Sequence, residues 1–461
     1  MKKIFTLFLE ALRGDENNFT TGSINKAIFM LAVPSILEMS LESVFAVVDV
    51  AFVSQVGTDA VAVVGLTESV LTIIYSIAWG FSVAATAIIS RRIGENNEKG
   101  ASEAAGQVIF ISIVLALLIG IPSFVLAEDI LRIMGASEAV IANGLPFTRL
   151  MFASTPAIIL LYTLSGALRG AGNASYAMRS LVVANTVNIL LDSVLVLGFL
   201  FFPKLGVLGA AVATTTGRSL GVLYQFRKLS DGTLPIKIAL KDLRPSPELI
   251  KKFMELASGS TIQFIIASAS WVFLTRILSS FGSEVVAGYT IAIRIIIFTI
   301  LPSWGMANAA AALVGQNLGA NQPERAEKSA WRAAYFNTVF LAIVAVVFFA
   351  FAPALIALFT DQVKSIETGV QCLRVICLGY VFFANGMVLV QAFNGAGDTR
   401  TPTLMNLVCF WAIEIPLAYL LAQYWEFGPM GVFVSVAISE SLMAIFAIIL
   451  FRRGKWKLVK V

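Results

Sequence analysis

The chain has 461 residues, 58% hydrophobic and 13% charged, with a mean hydropathy of +0.86 and a formal net charge of +5. Soluble domains carry roughly 25% charged residues, and a water-facing surface holds only small contiguous apolar patches. The composition therefore excludes an ordinary soluble fold and points to lipid as the solvent. Histidine is absent, which removes the usual near-neutral proton carrier and most transition-metal sites. The three cysteines, Cys372, Cys377 and Cys409, lie in apolar runs without CxxC spacing, so they read as packing residues.

In chain order, residues 1–26 begin with lysines and a short apolar stretch that Glu10 interrupts, with no small-residue cleavage site. An amphipathic helix lying on the membrane fits better than a signal peptide. Twelve apolar stretches of bilayer-spanning length follow, at 27–56, 61–89, 104–126, 143–168, 177–201, 206–227, 250–280, 285–313, 330–358, 367–393, 402–424 and 429–451. The longest basic polar segment between spans carries Pro235, Pro245 and Pro247 and reads as a linker. The expected organisation is an N-terminal cytoplasmic segment (1–26), a six-helix bundle (27–228), a cytoplasmic linker (229–249), a second six-helix bundle (250–452) and a basic cytoplasmic tail (453–461). With the termini and even-numbered loops cytoplasmic, 26 of the 33 Lys and Arg fall on that side. The positive-inside rule then predicts a multi-pass protein of the cell membrane with both termini in the cytoplasm. The net charge reflects topology and contact with membrane lipids, and nucleic acid is not an expected partner.

The two halves repeat. Arg91-Arg92-Ile93-Gly94-Glu95-Asn96 after span 2 corresponds to Gln316-Asn317-Leu318-Gly319-Ala320-Asn321 after span 8, an offset of 225. Gly166-Ala167-Leu168-Arg169-Gly170-Ala171-Gly172 after span 4 matches Gln391-Ala392-Phe393-Asn394-Gly395-Ala396-Gly397 after span 10 at the same offset, as does Gly57 with Gly282. Parallel repeats of this kind are a transporter architecture, with the substrate path between them.

Three segments carry a family resemblance: Val48-Asp49-Val50-Ala51-Phe52-Val53 with Gly57, the Gly315-Gln316-Asn317-Leu318-Gly319-Ala320 box, and the Gly395-Ala396-Gly397-Asp398-Thr399 turn. Together with the 6+6 layout, they resemble the multidrug and toxic compound extrusion (MATE) family over nearly the whole chain. The resemblance implies an all-α polytopic membrane protein with two homologous bundles in a V, working as a monomer. It also implies export of cationic or amphipathic small molecules in exchange for H+ or Na+, with no cofactor.

Ionisable groups inside a bilayer are costly and therefore functional candidates. They are Glu38, Glu42 and Asp49 in span 1, Asp192 in span 5, Glu414 in span 11 and Glu440 in span 12. At 100° per residue the three acids of span 1 fall within roughly 40° of one direction, and Asn185, Asn188 and Asp192 share a face within about 60°. Both stripes should face the bundle interior. Asp49, Asn188, Asp192 and Thr214 match the polar constellation of the family's N-terminal bundle, so the resemblance implies that they couple transport to an ion. Carboxylate, amide and hydroxyl oxygens are hard ligands suited to Na+, and paired carboxylates can equally share a proton. Glu38, Glu42, Asn185, Glu414 and Glu440 are expected on a substrate or ion path, or, for Glu414 and Glu440, in a structural pair with each other or with Arg294. At offset 225, Leu274 replaces Asp49 and Leu417 replaces Asp192, which confines ion coupling to the first half.

Pro34, Pro156, Pro302 and Pro416 can kink their spans. Trp79, Trp271, Trp304 and Trp411 are available for an aromatic cavity or for interfacial packing. No GxxxxGK[ST] loop, HExxH motif or Ser/His/Asp set is present, so ATP hydrolysis and enzymatic catalysis are not expected. A lipid-linked oligosaccharide flippase is the alternative reading. It calls for several inward-facing Lys or Arg, whereas the interior charges read from sequence are mostly acidic.

Overall fold

The computed structural model describes residues 2–14, 18–198 and 203–461, which contain helices and no strand. Met1 and residues 15–17 of the N-terminal segment, and the end of the expected fifth span at 199–201, lie outside the described residues. The N-terminal segment forms the amphipathic helix α1 (Lys2–Arg13). The first half then runs through α2 (Ile24–Ser54), α3 (Thr58–Gly94), α4 (Glu98–Val125), a short α5 (Ala127–Ile133), the pair α6 (Glu138–Ala153) and α7 (Thr155–Gly170), α8 (Ala174–Leu195) and α9 (Val207–Ser230). The second half comprises α10 (Pro247–Ser279), α11 (Ser283–Gly319), α12 (Pro323–Ala357), the pair α13 (Val363–Leu378) and α14 (Tyr380–Ala396), a span of α15 (Arg400–Asn406) and α16 (Ile415–Tyr419) with wide π turns, and α17 (Pro429–Arg452). Counting each bent pair as one span, ten among the described residues are long and apolar enough to cross a membrane, and α2 and α9 bring the long helical units of this multi-pass protein to twelve.

Departures from straight helices have local causes. The fourth span bends by 40° between α6 and α7, beside Pro156, where the Ser154 and Thr155 hydroxyls bond the carbonyls of Met151 and Phe152. The tenth bends by 60° at Gly379, inside a run that reads as one straight span in the sequence. The eleventh widens into π turns at Leu407–Glu414 and Leu420–Tyr424, on either side of Pro416, which has no N–H for an α-helical bond. The linker is docked: the Gln107 amide donates to the carbonyls of Asp242 (2.8 Å) and Arg244 (2.7 Å) and accepts from the Ser246 N–H (2.9 Å).

The repeat is visible in the backbone. α3 and α11 are both 37 residues long and begin 225 residues apart. The positive φ angles of Gly57 and Gly282, Asn96 and Asn321, and Gly172 and Gly397 recur at that same spacing. The halves also meet through equivalent residues. A Cβ on Gly94 would stand 1.9 Å from the Gln316 carbonyl oxygen, and one on Gly319 would stand 2.1 Å from that of Arg91. Gly315 and Ser90, equivalents of each other, touch directly. Further along, Gly80 abuts Thr261 and its equivalent Gly305 abuts Ser35 and Ile36. A pseudo-twofold axis thus passes between α3 and α11, and the helices approach so closely there because a glycine stands on one side of each contact.

Both termini lie at this end and strap across it. Arg325 donates to the carbonyls of Phe19 (3.2 Å), Thr21 (2.8 Å) and Gly22 (3.0 Å). The N–H of buried Phe19 bonds Gln316 Oε1 (3.2 Å). At the other terminus Arg91 donates to the Val459 carbonyl. Gly94→Ala or Gly319→Ala should destabilise the packed halves by about 1–3 kcal/mol, the usual cost of overpacking, and lower the unfolding temperature in detergent. Gly65→Ala, where a Cβ meets nothing within 4 Å, should not.

Candidate ion site and substrate cleft

The polar stripes of span 1 and span 5 do face each other inside the first bundle. Asn188 donates through Nδ2 to the Thr214 hydroxyl (3.1 Å), joining α8 to α9, and Asn185 donates to the Leu41 carbonyl of α2 (3.0 Å). Asp192 is fully buried and lies within electrostatic reach of Asp49 on α2. Among the described residues, no hydrogen bond of good geometry ends on Asp49 Oδ1, Asn188 Oδ1 or either carboxylate oxygen of Asp192, although the Asn188 side chain stands close enough to Asp192 to share a looser one. Buried oxygens normally find donors. A group of acceptors without them, held by three helices, suits a cation or a shared proton. Close packing sets the arrangement: a Cβ on Gly217 would stand 2.4 Å from the Ala184 carbonyl, and one on Gly209 would stand 2.7 Å from that of Leu195. These glycines let α9 lie against α8 and bring Thr214 to Asn188. No group of three or more His, Cys, Asp or Glu side chains positioned for a metal ion occurs among the described residues.

The other two acids of span 1 have acquired partners. Glu38 forms a buried ion pair with Arg169 of α7 at 2.7 Å, and Arg169 also donates to Ser82 of α3 (2.8 Å). Glu42 accepts from the Tyr162 hydroxyl. Sequence reading counted Arg169, just past span 4, and Arg218, inside span 6, among the cytoplasmic charges; both are instead buried within the bundle. Without them the positive-side bias is 24 against 7, still one-sided.

Arg218 of α9 is the residue that sequence reading most clearly missed. It donates to Tyr75 Oη (2.9 Å), its guanidinium lies 5.4 Å from the Tyr75 ring centroid and 5.7 Å from that of Phe45, and its Nη1 has no partner. It stands within electrostatic reach of Glu42, Asp49 and Glu68, yet forms no ion pair with any of them. Glu68 of α3 was missed as well. An ionisable residue inside an apolar span, the signal that picked out Asp49, was present for both.

Between the halves runs a cleft lined by Trp79 and Tyr162 from the first half and by Phe264, Trp271 and Trp304 from the second. Trp304 stacks on Phe264 (5.7 Å between centroids), which meets Trp79 edge-on at 5.7 Å; Trp79 in turn meets Tyr162 at 6.3 Å. Glu42 lies in the wall on one side and Glu440 of α17 on the other. Glu42 also borders a small cavity with Asn185, Asn188, Thr214 and Arg218, so it is common to the cleft and to the surroundings of the ion site. In the second half, buried Glu414 is an electrostatic neighbour of Glu440, but the suggested partner Arg294 is exposed and pairs with neither. It lies on an exposed side of α11. Trp411 is outside the cleft and bonds the Ile266 carbonyl (3.0 Å).

The Glu38–Arg169 pair carries a definite energetic signature. Glu38→Gln strands a buried guanidinium and should cost about 3–5 kcal/mol, whereas replacing both partners with apolar residues should recover most of that loss. Detergent unfolding of the two variants distinguishes these outcomes.

The family described as MatE matches residues 34–194 and again 260–420, once in each half. The chain is 25% identical over 430 residues to the probable multidrug resistance protein YoeA of Bacillus subtilis, covering 92% of this chain and 93% of that one. It is 25% identical over 443 residues to the probable multidrug resistance protein NorM of Thermotoga maritima, covering 94% and 93%. A crystal structure of MATE in complex with MaL6 superposes with a TM-score of 0.89 at 27% identity, covering 98% of this chain and 99% of that one. With the family matched twice along its length, on the two halves of a twelve-helix fold, this chain belongs to the MatE family, the multidrug and toxic compound extrusion transporters.

Proposed function

We propose that the protein exports cationic or amphipathic small molecules from the cytoplasm, across the cell membrane, in exchange for H+ or Na+. The observation that carries this reading is the placement of Glu42. It belongs both to an aromatic cleft between the halves and to a cavity beside the buried oxygens of Asp49, Asn188, Asp192 and Thr214. Aromatic faces attract cations that have shed water, and the wall carboxylates Glu42 and Glu440 supply opposite charge. A flat cation therefore fits the cleft better than an anion does. The flippase alternative needs free cationic side chains for a pyrophosphate, but Arg169 is paired with Glu38 and Arg218 is held by Tyr75. Transport as a monomer fits a cleft built wholly from one chain.

Coupling in this reading is electrostatic and mechanical. An incoming H+ or Na+ neutralises the Asp49/Asp192 site. Arg218, no longer attracted to Asp49, then competes more strongly for Glu42 and displaces the departing cation. α2 carries Glu38, Glu42 and Asp49 on one rod, so the change at Asp49 reaches the cleft along a single helix. Span 1 moves, the termini-bearing end opens to the cytoplasm, and the halves rock. The six-helix bundles at 27–228 and 250–452 would be the moving bodies, joined by the linker at 229–249.

Ethidium efflux from proteoliposomes, with Na+ and H+ gradients imposed separately, tests the reading. One gradient should drive efflux, and Asp49→Asn or Asp192→Asn should abolish it; full efflux in both variants would refute the coupling site. For Arg218→Gln, removal of one positive charge should lower the half-saturating concentration of the coupling ion roughly tenfold, equivalent to about 1.4 kcal/mol, while Arg218→Lys should stay near wild type. An unchanged half-saturation in Arg218→Gln would take Arg218 out of the mechanism.

A further inference from the structure

Outside the transport path, the first turns of α12 carry a set of residues that neither the cleft nor the ion site uses. Lys328, Arg332, Tyr335, Val339, Ile343 and Val346 follow one another at spacings of four, three, four, four and three residues, and all six are exposed. At 100° per residue they fall on one stripe about 80° wide. Along that stripe the chemistry changes in a fixed order: two cations, a phenol, then three branched aliphatics. Neither Lys328 nor Arg332 makes an ion pair or hydrogen bond among the described residues.

The cationic end of the stripe opens into a groove. Its far wall is Gly22, Ser23 and Asn25 at the start of α2, and its near wall includes Arg325, Lys328, Trp331 and Arg332. No side chain caps the first turn of α2, so backbone donors add to the positive character of that wall. Of the nearby acids, Glu327 is already held by Lys457 (2.5 Å) and by the Trp331 indole (3.4 Å), and exposed Glu324, one turn before Lys328, forms no ion pair with it among the described residues. Trp331 and Tyr335 sit where apolar helix gives way to charge, the position aromatic residues occupy at a membrane–water interface.

We propose that this groove and stripe form a binding site for one anionic phospholipid of the leaflet at the termini-bearing end. Its phosphate lies between Lys328 and Arg332, its glycerol region is level with Tyr335, and its acyl chains run along Val339, Ile343 and Val346. The order of groups on the helix is the order of groups in the lipid. A soluble anion would use only the first third of the stripe, and a neutral lipid would leave both cations without a partner. The bound headgroup sits beside Arg325, whose hydrogen bonds tie the N-terminal segment to the second half, so the lipid would reinforce that strap.

Native mass spectrometry of the full-length protein in detergent tests this, with phosphatidylglycerol, phosphatidylethanolamine or inorganic phosphate added in turn. The wild type should retain one phosphatidylglycerol in preference to phosphatidylethanolamine. Lys328→Gln with Arg332→Gln should weaken that binding roughly 30-fold, taking about 1 kcal/mol for each basic residue near an anionic surface. Lys328→Arg with Arg332→Lys should preserve it, as should Arg453→Gln with Lys455→Gln, a basic pair elsewhere at the same end. Equal retention of both lipids, or unchanged phosphatidylglycerol binding in the double Gln variant, would overturn the proposal. So would displacement of the lipid by inorganic phosphate, which would identify a site for free anions.

Discussion

The structure depends on one contact that has almost no side chains in it. α3 and α11 approach until backbone meets backbone, and they can do so because Gly94, Gly315 and Gly319 remove the Cβ atoms that would intervene. The contact is reciprocal. Gly94 meets Gln316 while Gly319 meets Arg91, and Gln316 is the repeat equivalent of Arg91. A duplicated sequence produces such an interface economically: one patch compatible with its own copy serves both halves, as in a twofold homodimer. Closing the halves at this end leaves the aromatic cleft between them further along the same helices, where Trp79 on α3 faces Phe264 and Trp304.

Onto this near-symmetric frame the chemistry is laid asymmetrically. Glu38, Glu42, Asp49, Glu68 and Asp192 all lie in the first half, with Arg169 and Arg218 among them. The positions equivalent to Asp49 and Asp192 are Leu274 and Leu417, and Leu274 lies in the apolar core of the second half. Desolvated charges are tolerated when neighbours compensate them. In the first half Glu38 is compensated by Arg169, Glu42 leans on Tyr162, and Asp49 and Asp192 retain oxygens with no donor. A near-symmetric frame thus carries most of its buried charge on one side, the second half keeping Glu414 and Glu440.

Much of the fold was legible because lipid imposes a simple rule on sequence: helices must be apolar over a fixed length, and duplicated helices repeat their glycines at a fixed offset. The stripe containing Glu38, Glu42 and Asp49 was legible because helical periodicity assigns a face without knowledge of the partner. Partners were not legible. Arg169 lies just past the end of an apolar run and Arg218 in the middle of one; hydropathy cannot tell which way such a charge turns, and only the packing of α7 and α9 against α2 and α3 decides the matter. Glu68 escaped for the same reason, at the outer part of span 2. Arg294 went the other way: its position inside an apolar run suggested a buried pair with Glu414 or Glu440, but α11 turns it outward. The bend at Gly379 has no proline to announce it.

The straps at the ends of the chain have a kinetic consequence. Any motion that separates α3 from α11 must also peel the N-terminal segment from Arg325 and the C-terminal tail from Arg91, because each strap is anchored to the opposite half. Hydrogen bonds to a charged guanidinium contribute about 1.5–3 kcal/mol apiece, and each 1.36 kcal/mol added to a barrier slows a step tenfold. In the proposed rocking cycle the termini would therefore act as a timer. They would set how long the closed arrangement persists before the halves part, so that residues far from any transported molecule would govern the turnover rate.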